Sequence, residues 1–297
     1  MFLPKGIIVP IVSPSTADGL VDKNAIKENV KHLIEAGVHG IMPTGAAGEF
    51  VLLSTEERQE IAEEVMQAAE GKIPVIPHVG TADTKTTIEL AKHARDIGAP
   101  AVVVNTPYYI RPHQEELYAH YVKVAETVGI PVILYDIPHL TANRLNTDTV
   151  IRLAEHQLIV GIKDCTYDDA HMINILRNTD PVTFSFITGE DHLVYMSMLH
   201  GAQGAITVTS NIVPSLFVRI YKLILEEKYR EALKNQMLIM PLLGLLKAEG
   251  KPLATIKAGV EAAGRPAGPG REPLSPISAE LMGKLQKVVK DIESHIL

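Results

Sequence analysis

Residues 158–164 read LIVGIKD and residues 131–136 read PVILYD, and these two stretches decide the fold class of this chain. Both are short apolar runs rich in β-branched residues, and both end in polar side chains. Strands that are apolar throughout are typical of parallel sheets covered on both faces. Six further runs of this kind begin at Ile7, Gly40, Ile73, Ala101, Val182 and Gly204.

Amphipathic stretches separate these runs. Ile26, Val30 and Leu33 recur with helical spacing, and residues 54–57 read STEE, which is a capping-box signature. Strand–helix units repeated at intervals of about 20 to 35 residues predict an α/β fold, a (β/α)8 barrel. The competing fold, a doubly wound open sheet, would place G-x-G-x-x-G after its first strand, where this chain has SPS at 13–15.

The pattern changes after Val208, because no further strand is indicated and only helical stretches follow. A segment rich in proline and glycine at 264–276 interrupts them. We therefore expect a barrel domain at 1–227 that carries the catalytic site, and a small C-terminal helical subdomain at 228–297.

Composition narrows the function classes. The 297 residues include 28 basic and 35 acidic side chains, a net charge of −7, which argues against a nucleic-acid surface. No apolar run approaches the roughly 18 residues that a membrane span needs. The single cysteine, Cys165, excludes a disulfide framework and a cysteine-based zinc site. The N-terminal stretch fits a strand better than a signal peptide, so we expect a cytoplasmic enzyme.

Lys163 is the most informative candidate residue. Barrel active sites lie at the C-terminal ends of the strands, and Lys163 stands at the end of a buried strand. Burial of an ammonium group lowers its pKa and makes a nucleophilic amine available, as Schiff-base chemistry requires. A strand-end lysine held in a salt bridge is the alternative interpretation.

Five other strand ends carry candidates. Tyr135 ends the fifth strand, where its phenol could transfer protons or simply pack in the core. Residues 45–48, GAAG, could form an anion-binding nest or an ordinary tight turn. Tyr108 and Tyr109 could carry protons, contact a neighbouring subunit or cover the barrel rim. Residues 188–192 and 205–208 could line the substrate pocket.

A catalytic metal is not expected. The twelve histidines include no H-x-H or H-E-x-x-H pair. His78, Asp136 and His139 stand near strand ends and could in principle converge.

Several motifs together resemble one known family. They are GAAGEF at 45–50, TPYYIRP at 106–112, LYDIP at 134–138, GIKD at 161–164, TGEDH at 188–192 and GAITVTSN at 204–211. With these motifs the chain resembles the family of dihydrodipicolinate synthase and N-acetylneuraminate lyase, the pyruvate-type class I aldolases. The resemblance implies a barrel with C-terminal helices, a homotetramer built as a dimer of dimers, and no metal or organic cofactor.

The resemblance also implies residue roles. Lys163 corresponds to the lysine that captures a keto acid as a Schiff base, and Tyr135 corresponds to the proton-shuttling tyrosine. Tyr109 corresponds to the tyrosine that reaches into the neighbouring subunit's site. The positions that correspond to substrate contacts are Ala46, Ala47, Gly48, Gly189, Glu190 and Ile206.

Two departures from the family pattern bear on the substrate. Ala46 and Ala47 replace the hydroxyl residues of the usual GTTGE or GSTGE loop, so a tyrosine–threonine–tyrosine proton relay cannot be complete. Leu140 stands where synthases have an arginine that grips the carboxylate of the second substrate. These residues predict a lyase or aldolase that joins or cleaves pyruvate and an aldehyde, derived from a 2-keto-3-deoxy sugar acid.

Three alternatives stay open. The chain could be a 4-hydroxy-tetrahydrodipicolinate synthase, which condenses pyruvate with aspartate semialdehyde in lysine biosynthesis. It could be a dehydratase of keto-deoxy sugar acids that uses the same imine. It could also be a keto-acid-binding barrel without catalysis.

Overall fold

The computed structural model describes residues 2–296, with side chains through residue 295. The described chain divides into two compact units: residues 2–6 with 76–206, and residues 7–75 with 207–296. This division does not test the expected boundary at residues 227/228, which stays a prediction.

Strands and helices alternate through most of the chain. The strands are β1 (Gly6–Val9), β2 (Gly40–Ile41), β3 (Val102–Asn105), β4 (Val132–Asp136), β5 (Ile159–Asp164), β6 (Ser185–Thr188) and β7 (Gly204–Ile206). The helices are α1 (Lys23–Glu35), α2 (Thr55–Ala69), α3 (Thr84–Asp96), α4 (Gln114–Val128), α5 (Pro138–Thr141), α6 (Thr147–Ala154), α7 (Asp169–Asn178), α8 (Val194–Leu199), α9 (Pro214–Leu225), α10 (Tyr229–Leu238), α11 (Met240–Leu246), α12 (Pro252–Ala262) and α13 (Ala279–Ile296).

The first unit contains a parallel sheet in which β3, β4, β5, β6 and β7 pair in that order. Tyr135 on β4 is opposite Lys163 on β5, and Lys163 is opposite Ile187 on β6. Side chains alternate between the two faces of a strand, so residues opposite one another in register point to the same face. The register therefore places Tyr135 and Lys163 on one face of the sheet.

The second unit contains β1 from Ile7 onward and β2, which are also parallel: Ile8 is opposite Gly40 and Val9 is opposite Ile41. Helix α2 starts with the predicted capping box, since Ser54 accepts from the Glu57 amide and Glu57 accepts from the Ser54 amide. Apolar residues of α1 and α2 pack on these strands in a buried cluster. Helices α9 to α13 complete the unit.

The run at 73–79 differs from its prediction as a strand. It forms only two isolated parallel bridges, from Val75 to Ile41 and from His78 to Val103. The reason is local, because Pro74 and Pro77 have no N–H to donate to a continuous ladder. The other seven predicted runs form strands. No helix among residues 2–296 is long and apolar enough to cross a membrane.

Candidate active site

Lys163 lies at the end of β5 with its side chain buried; the residue is only 2% exposed. Its Nζ atom is 4.0 Å from the centre of the Tyr135 ring. Burial lowers the pKa of Lys163, although Cys165, Glu190 and Asp191 act in the opposite direction. The neutral, nucleophilic form of the amine is therefore more accessible than in an exposed lysine.

Gly189 has no side chain, and this absence gives the Lys163 side chain the room that it needs. A Cβ atom at this position would lie 3.1 Å from Lys163 Cε and would overlap Cys165 Sγ. The predicted contact residue Gly189 thus has a clear steric role next to the reactive side chain. Cys165 is buried and was not among the predicted site residues.

Tyr135 is 2% exposed, and burial raises the pKa of its phenol well above the usual value, with Cys165 and Glu190 adding to the effect. The phenol therefore stays protonated and can donate a hydrogen bond. The His78 ring packs edge-on against the Tyr135 ring, with 5.9 Å between the ring centres. His78 Nε2 is 2.7 Å from Asn105 Oδ1, which fixes the orientation of the imidazole.

Glu190 brings a carboxyl group to the same site. Burial raises its pKa, while hydrogen bonds from Tyr167 and Cys165 and the charge of Lys163 partly oppose the rise. Tyr167 has a φ of +58° and stacks on His192, with 5.7 Å between the ring centres. Tyr167 was not predicted, since no motif marks it; its only sequence signal is its place in the loop after the lysine strand.

Two further predicted residues of this unit differ sharply in exposure. Tyr109 is 96% exposed with a φ of +74°, so its phenol faces away from the chain's own core. Ile206 is fully buried at the end of β7. The structure thus brings Lys163, Tyr135 and Glu190 together and leaves Tyr109 on the surface of the single chain.

The loop at 44–49 belongs to the second unit and forms a tight turn. Ala46 is half-buried, while Ala47 and Gly48 are buried. The Gly48 amide donates to the Gly45 carbonyl at 3.0 Å, and Ser13 Oγ donates to the Gly48 carbonyl at 2.8 Å. Within residues 2–296, the amides of Ala46 and Ala47 donate to no backbone carbonyl.

A buried ion pair holds the end of this loop. Lys257 on α12 lies 3.2 Å from Glu49 Oε2, and both side chains are almost fully buried. Lys257 also donates to the Pro269 carbonyl at 2.7 Å. Sequence reasoning missed this pair because the partners are far apart along the chain.

Leu140, on α5, is 61% exposed and brings no charge to its position.

A buried lysine that faces a tyrosine across the ends of adjacent parallel strands suits an enzyme that captures a carbonyl substrate as a Schiff base. The chain belongs to the dihydrodipicolinate synthetase family, whose profile matches residues 3–292. The predicted family is therefore confirmed, and the chain is a lyase that uses a lysine Schiff base.

Individual relatives agree with this assignment. A protein of Methanothrix thermoacetophila named 4-hydroxy-tetrahydrodipicolinate synthase is 33% identical over 96% of this chain and 96% of its own length. YagE, a prophage protein of the dihydrodipicolinic acid synthase family from E. coli K12 solved with pyruvate, has a TM-score of 0.94 at 29% identity, covering 98% of this chain and 99% of that one.

A chloride-inhibited dihydrodipicolinate synthase from Acinetobacter baumannii, also solved with pyruvate, has a TM-score of 0.91 at 36% identity. The match covers 97% of this chain and 99% of that one. The predicted fold class, a (β/α)8 barrel with a C-terminal helical part, is confirmed. The names of the relatives support the synthase alternative better than the sugar-acid interpretation.

Proposed function

We propose that Lys163 is the amine that forms the Schiff base with pyruvate. The observation that carries this proposal is its buried position 4.0 Å from the Tyr135 ring, with a lowered pKa. The amine adds to C2 of pyruvate and water leaves, which gives a protonated imine. Transfer of a proton from C3 to water then gives an enamine, with the imine nitrogen as the electron sink.

The enamine carbon attacks the carbonyl carbon of an aldehyde, and the new alkoxide takes a proton. Tyr135 is the proposed donor of that proton, because its raised pKa keeps the phenol protonated until a strong base forms beside it. Hydrolysis of the imine releases the product and regenerates Lys163. In the cleavage direction, the same groups act in reverse order.

The pyruvate carboxylate is assigned to the loop that contains Ala46, Ala47 and Gly48. This part of the proposal rests on the family resemblance and on the amides of Ala46 and Ala47, which donate to no backbone carbonyl. Backbone amides do not require the hydroxyl groups that this loop lacks. Gly189, Glu190 and Ile206 are the further proposed substrate contacts.

The first candidate for the aldehyde is aspartate semialdehyde, which makes the chain a 4-hydroxy-tetrahydrodipicolinate synthase. The names of its relatives support this choice. The second candidate is the aldehyde from a 2-keto-3-deoxy sugar acid. Leu140 favours it, since an exposed apolar side chain stands where an arginine would bind a second carboxylate.

The proposal also includes a homotetrameric assembly and a cytoplasmic location. Tyr109 is exposed in the single chain, which is compatible with a role in the neighbouring subunit's site of a homotetramer. The single buried cysteine is compatible with action in the cytoplasm.

Borohydride reduction in the presence of pyruvate tests the proposal. Intact mass and peptide mapping should place a reduced pyruvyl adduct on Lys163, and Lys163→Ala should show none. A folded wild-type protein without an adduct would overturn the Schiff-base role. Assays with pyruvate plus aspartate semialdehyde, and with 2-keto-3-deoxy sugar acids, then decide between the two aldehydes.

A further inference from the structure

Two aspartates directly follow the site residues on their strands. Asp136 follows Tyr135 on β4, Asp164 follows Lys163 on β5, and the two aspartates are opposite one another in register. Alternation along a strand turns them to the opposite face from Lys163, towards the helices. Asp136 is 0% exposed and Asp164 is 7% exposed, so both carboxyl groups are buried without belonging to the Schiff-base site.

His171 on α7 completes a cluster with these aspartates. Its Nε2 atom lies 3.9 Å from Asp136 Oδ2 and 3.8 Å from Asp164 Oδ1, and the residue is 3% exposed. These distances are too long for hydrogen bonds. Among the described residues, Asp136 Oδ1, Asp164 Oδ1 and His171 Nε2 have no hydrogen-bond partner.

Other contacts orient the three side chains. The Leu145 amide donates to Asp136 Oδ2 at 3.1 Å, and Thr166 Oγ1 donates to Asp164 Oδ2 at 3.0 Å. His171 Nδ1 is 2.9 Å from Thr147 Oγ1. When Nδ1 carries the proton and donates to this hydroxyl, Nε2 presents its lone pair to the carboxylates. Metal-binding histidines are commonly held in this way.

A buried pair of carboxyl groups needs a positive charge or a proton. Asp136 Oδ1 and Asp164 Oδ1 are both buried with no donor among the described residues, so two negative charges here are costly unless something compensates them. Arg144 favours the charged forms, but its guanidinium binds Asp168 at 2.7 Å and remains partly exposed. A cation between the three side chains would supply the missing charge.

We propose that Asp136, Asp164 and His171 form a binding site for a divalent first-row transition metal ion. One imidazole nitrogen and two carboxylate oxygens suit Zn²⁺, Co²⁺ or Mn²⁺. One candidate donor atom from each residue lies within 4.8 Å of the others. Tetrahedral ligands at about 2.0–2.2 Å from zinc are about 3.3–3.6 Å apart, so the side chains must close by up to about 1.5 Å to bind the ion.

A cleft in the surface reaches one member of the cluster, His171. A cleft of about 360 Å³ is lined by Arg144, Asn146, Thr147, Asp148 and His171. The ion could enter through this cleft and keep water in its remaining coordination positions. It would sit behind the strand ends rather than at the substrate, so its role would be to hold β4, β5 and α7 together.

The experiment uses the full chain, stripped with EDTA and then freed of chelator and any affinity tag. Titration with Co²⁺ should give d–d absorption bands that saturate at one ion per chain. Zn²⁺ should displace Co²⁺ and raise the melting temperature. His171→Gln and Asp164→Asn should each weaken binding by about tenfold or more, at least as much as loss of a supporting residue.

His120→Gln is the matched control. His120 is also buried, its Nδ1 is 2.9 Å from Thr84 Oγ1, and its Nε2 has no hydrogen-bond partner among the described residues. No carboxylate pair is grouped with it within the described chain. This variant should bind Co²⁺ like the wild type.

If the wild type does not take up one Co²⁺ per chain, the proposal is overturned. A proton shared by Asp136 and Asp164 would then be the compensating charge. Equal uptake by wild type and a folded His171→Gln protein would also overturn the proposal. If the variants do not fold, X-ray absorption at the zinc edge of the wild type decides. The expected shell contains nitrogen and oxygen only; a sulfur ligand or a purely aqueous shell would contradict the assignment. None of these outcomes depends on whether Lys163 forms an imine.

Discussion

Gly189 lies against Lys163 so closely that a single added carbon would stand 3.1 Å from the lysine Cε atom. The reactive amine and the glycine come from adjacent strands, β5 and the end of β6, and the fit depends on the absence of a side chain at 189. Space at this position, together with the Tyr135 ring, determines where the lysine nitrogen can lie.

Gly189→Ala should therefore displace Lys163 and Cys165. Overpacking of this kind costs about 1–3 kcal/mol, and we expect slower pyruvate adduct formation as well as lower thermal stability. The measurement is the rate of borohydride-trapped adduct by mass spectrometry. Gly244→Ala is the control, because a Cβ there meets nothing within 4 Å. An unchanged trapping rate in Gly189→Ala would contradict the steric role.

Tyr135→Phe should separate imine formation from proton transfer. The ring that packs beside Lys163 remains, so pyruvate should still be trapped, while turnover falls by about 10²–10⁴-fold because the phenol is lost. Steady-state kinetics and trapping on the same preparation provide the comparison.

Tyr121→Phe is the matched control for that change. Tyr121 is fully buried and donates to the Val104 carbonyl at 3.3 Å, away from any proposed catalytic role. Its loss should cost about 0.5–1.5 kcal/mol of stability and leave kcat unchanged. Equal turnover by Tyr135→Phe and wild type would remove Tyr135 from the mechanism.

Lys257→Met should destabilise the fold by about 3–5 kcal/mol, because the Glu49 carboxylate would stay buried without its partner. The double variant Lys257→Met, Glu49→Gln should recover part of this loss, since no buried charge remains. Urea unfolding measures both. Lys284→Met, which breaks the exposed pair with Glu280, should change stability by less than about 1 kcal/mol. Similar effects at the two lysines would show that burial of the Glu49 pair is unimportant.

The apolar runs predict the strands well because a strand covered on both faces must be apolar along its length. Residues 73–79 are the exception, since composition there is apolar but Pro74 and Pro77 prevent a ladder. Lys163 and Tyr135 could be identified because polar residues at strand ends are conspicuous in such runs.

The rest of the site depends on distances that a linear pattern does not contain. Cys165 and Tyr167 follow β5 and join the site from the loop after it, where both contact Glu190. His171 reaches the two aspartates from a helix, and only the packing of α7 reveals it. Similarly, Lys257 meets Glu49 through the position of α12, which no local motif indicates.

His120 should make the protein lose stability as the pH falls. Burial lowers its pKa to about 4, below the value of about 6.5 expected in the unfolded chain. Between these two values the unfolded state binds more protons, so the free energy of unfolding decreases from pH 6.5 down to pH 4 and then levels off. Urea unfolding across this range should show a smaller decrease in His120→Gln. His200→Gln, at an exposed histidine, should match the wild type.

Leu140→Arg tests which aldehyde the site accepts. Leu140 is 61% exposed, so an arginine should be tolerated without loss of stability. If the position borders the second substrate, the new guanidinium can bind its carboxylate, and a charge-assisted hydrogen bond of about 1.5–3 kcal/mol corresponds to roughly a 10- to 100-fold rise in kcat/KM for aspartate semialdehyde. The KM for pyruvate should stay the same.

The control for that gain is Leu225→Arg, which adds the same charge at another exposed leucine, 64% exposed on α9. Kinetics with aspartate semialdehyde and with the aldehyde from a 2-keto-3-deoxy sugar acid separate the two candidates. Suppose that the wild type prefers the sugar-derived aldehyde and that only Leu140→Arg raises kcat/KM for aspartate semialdehyde. This result would show that Leu140 excludes an aldehyde that carries a carboxylate. High activity of the wild type with aspartate semialdehyde, unchanged by the arginine, would show that another residue binds that carboxylate and that Leu140 does not set specificity.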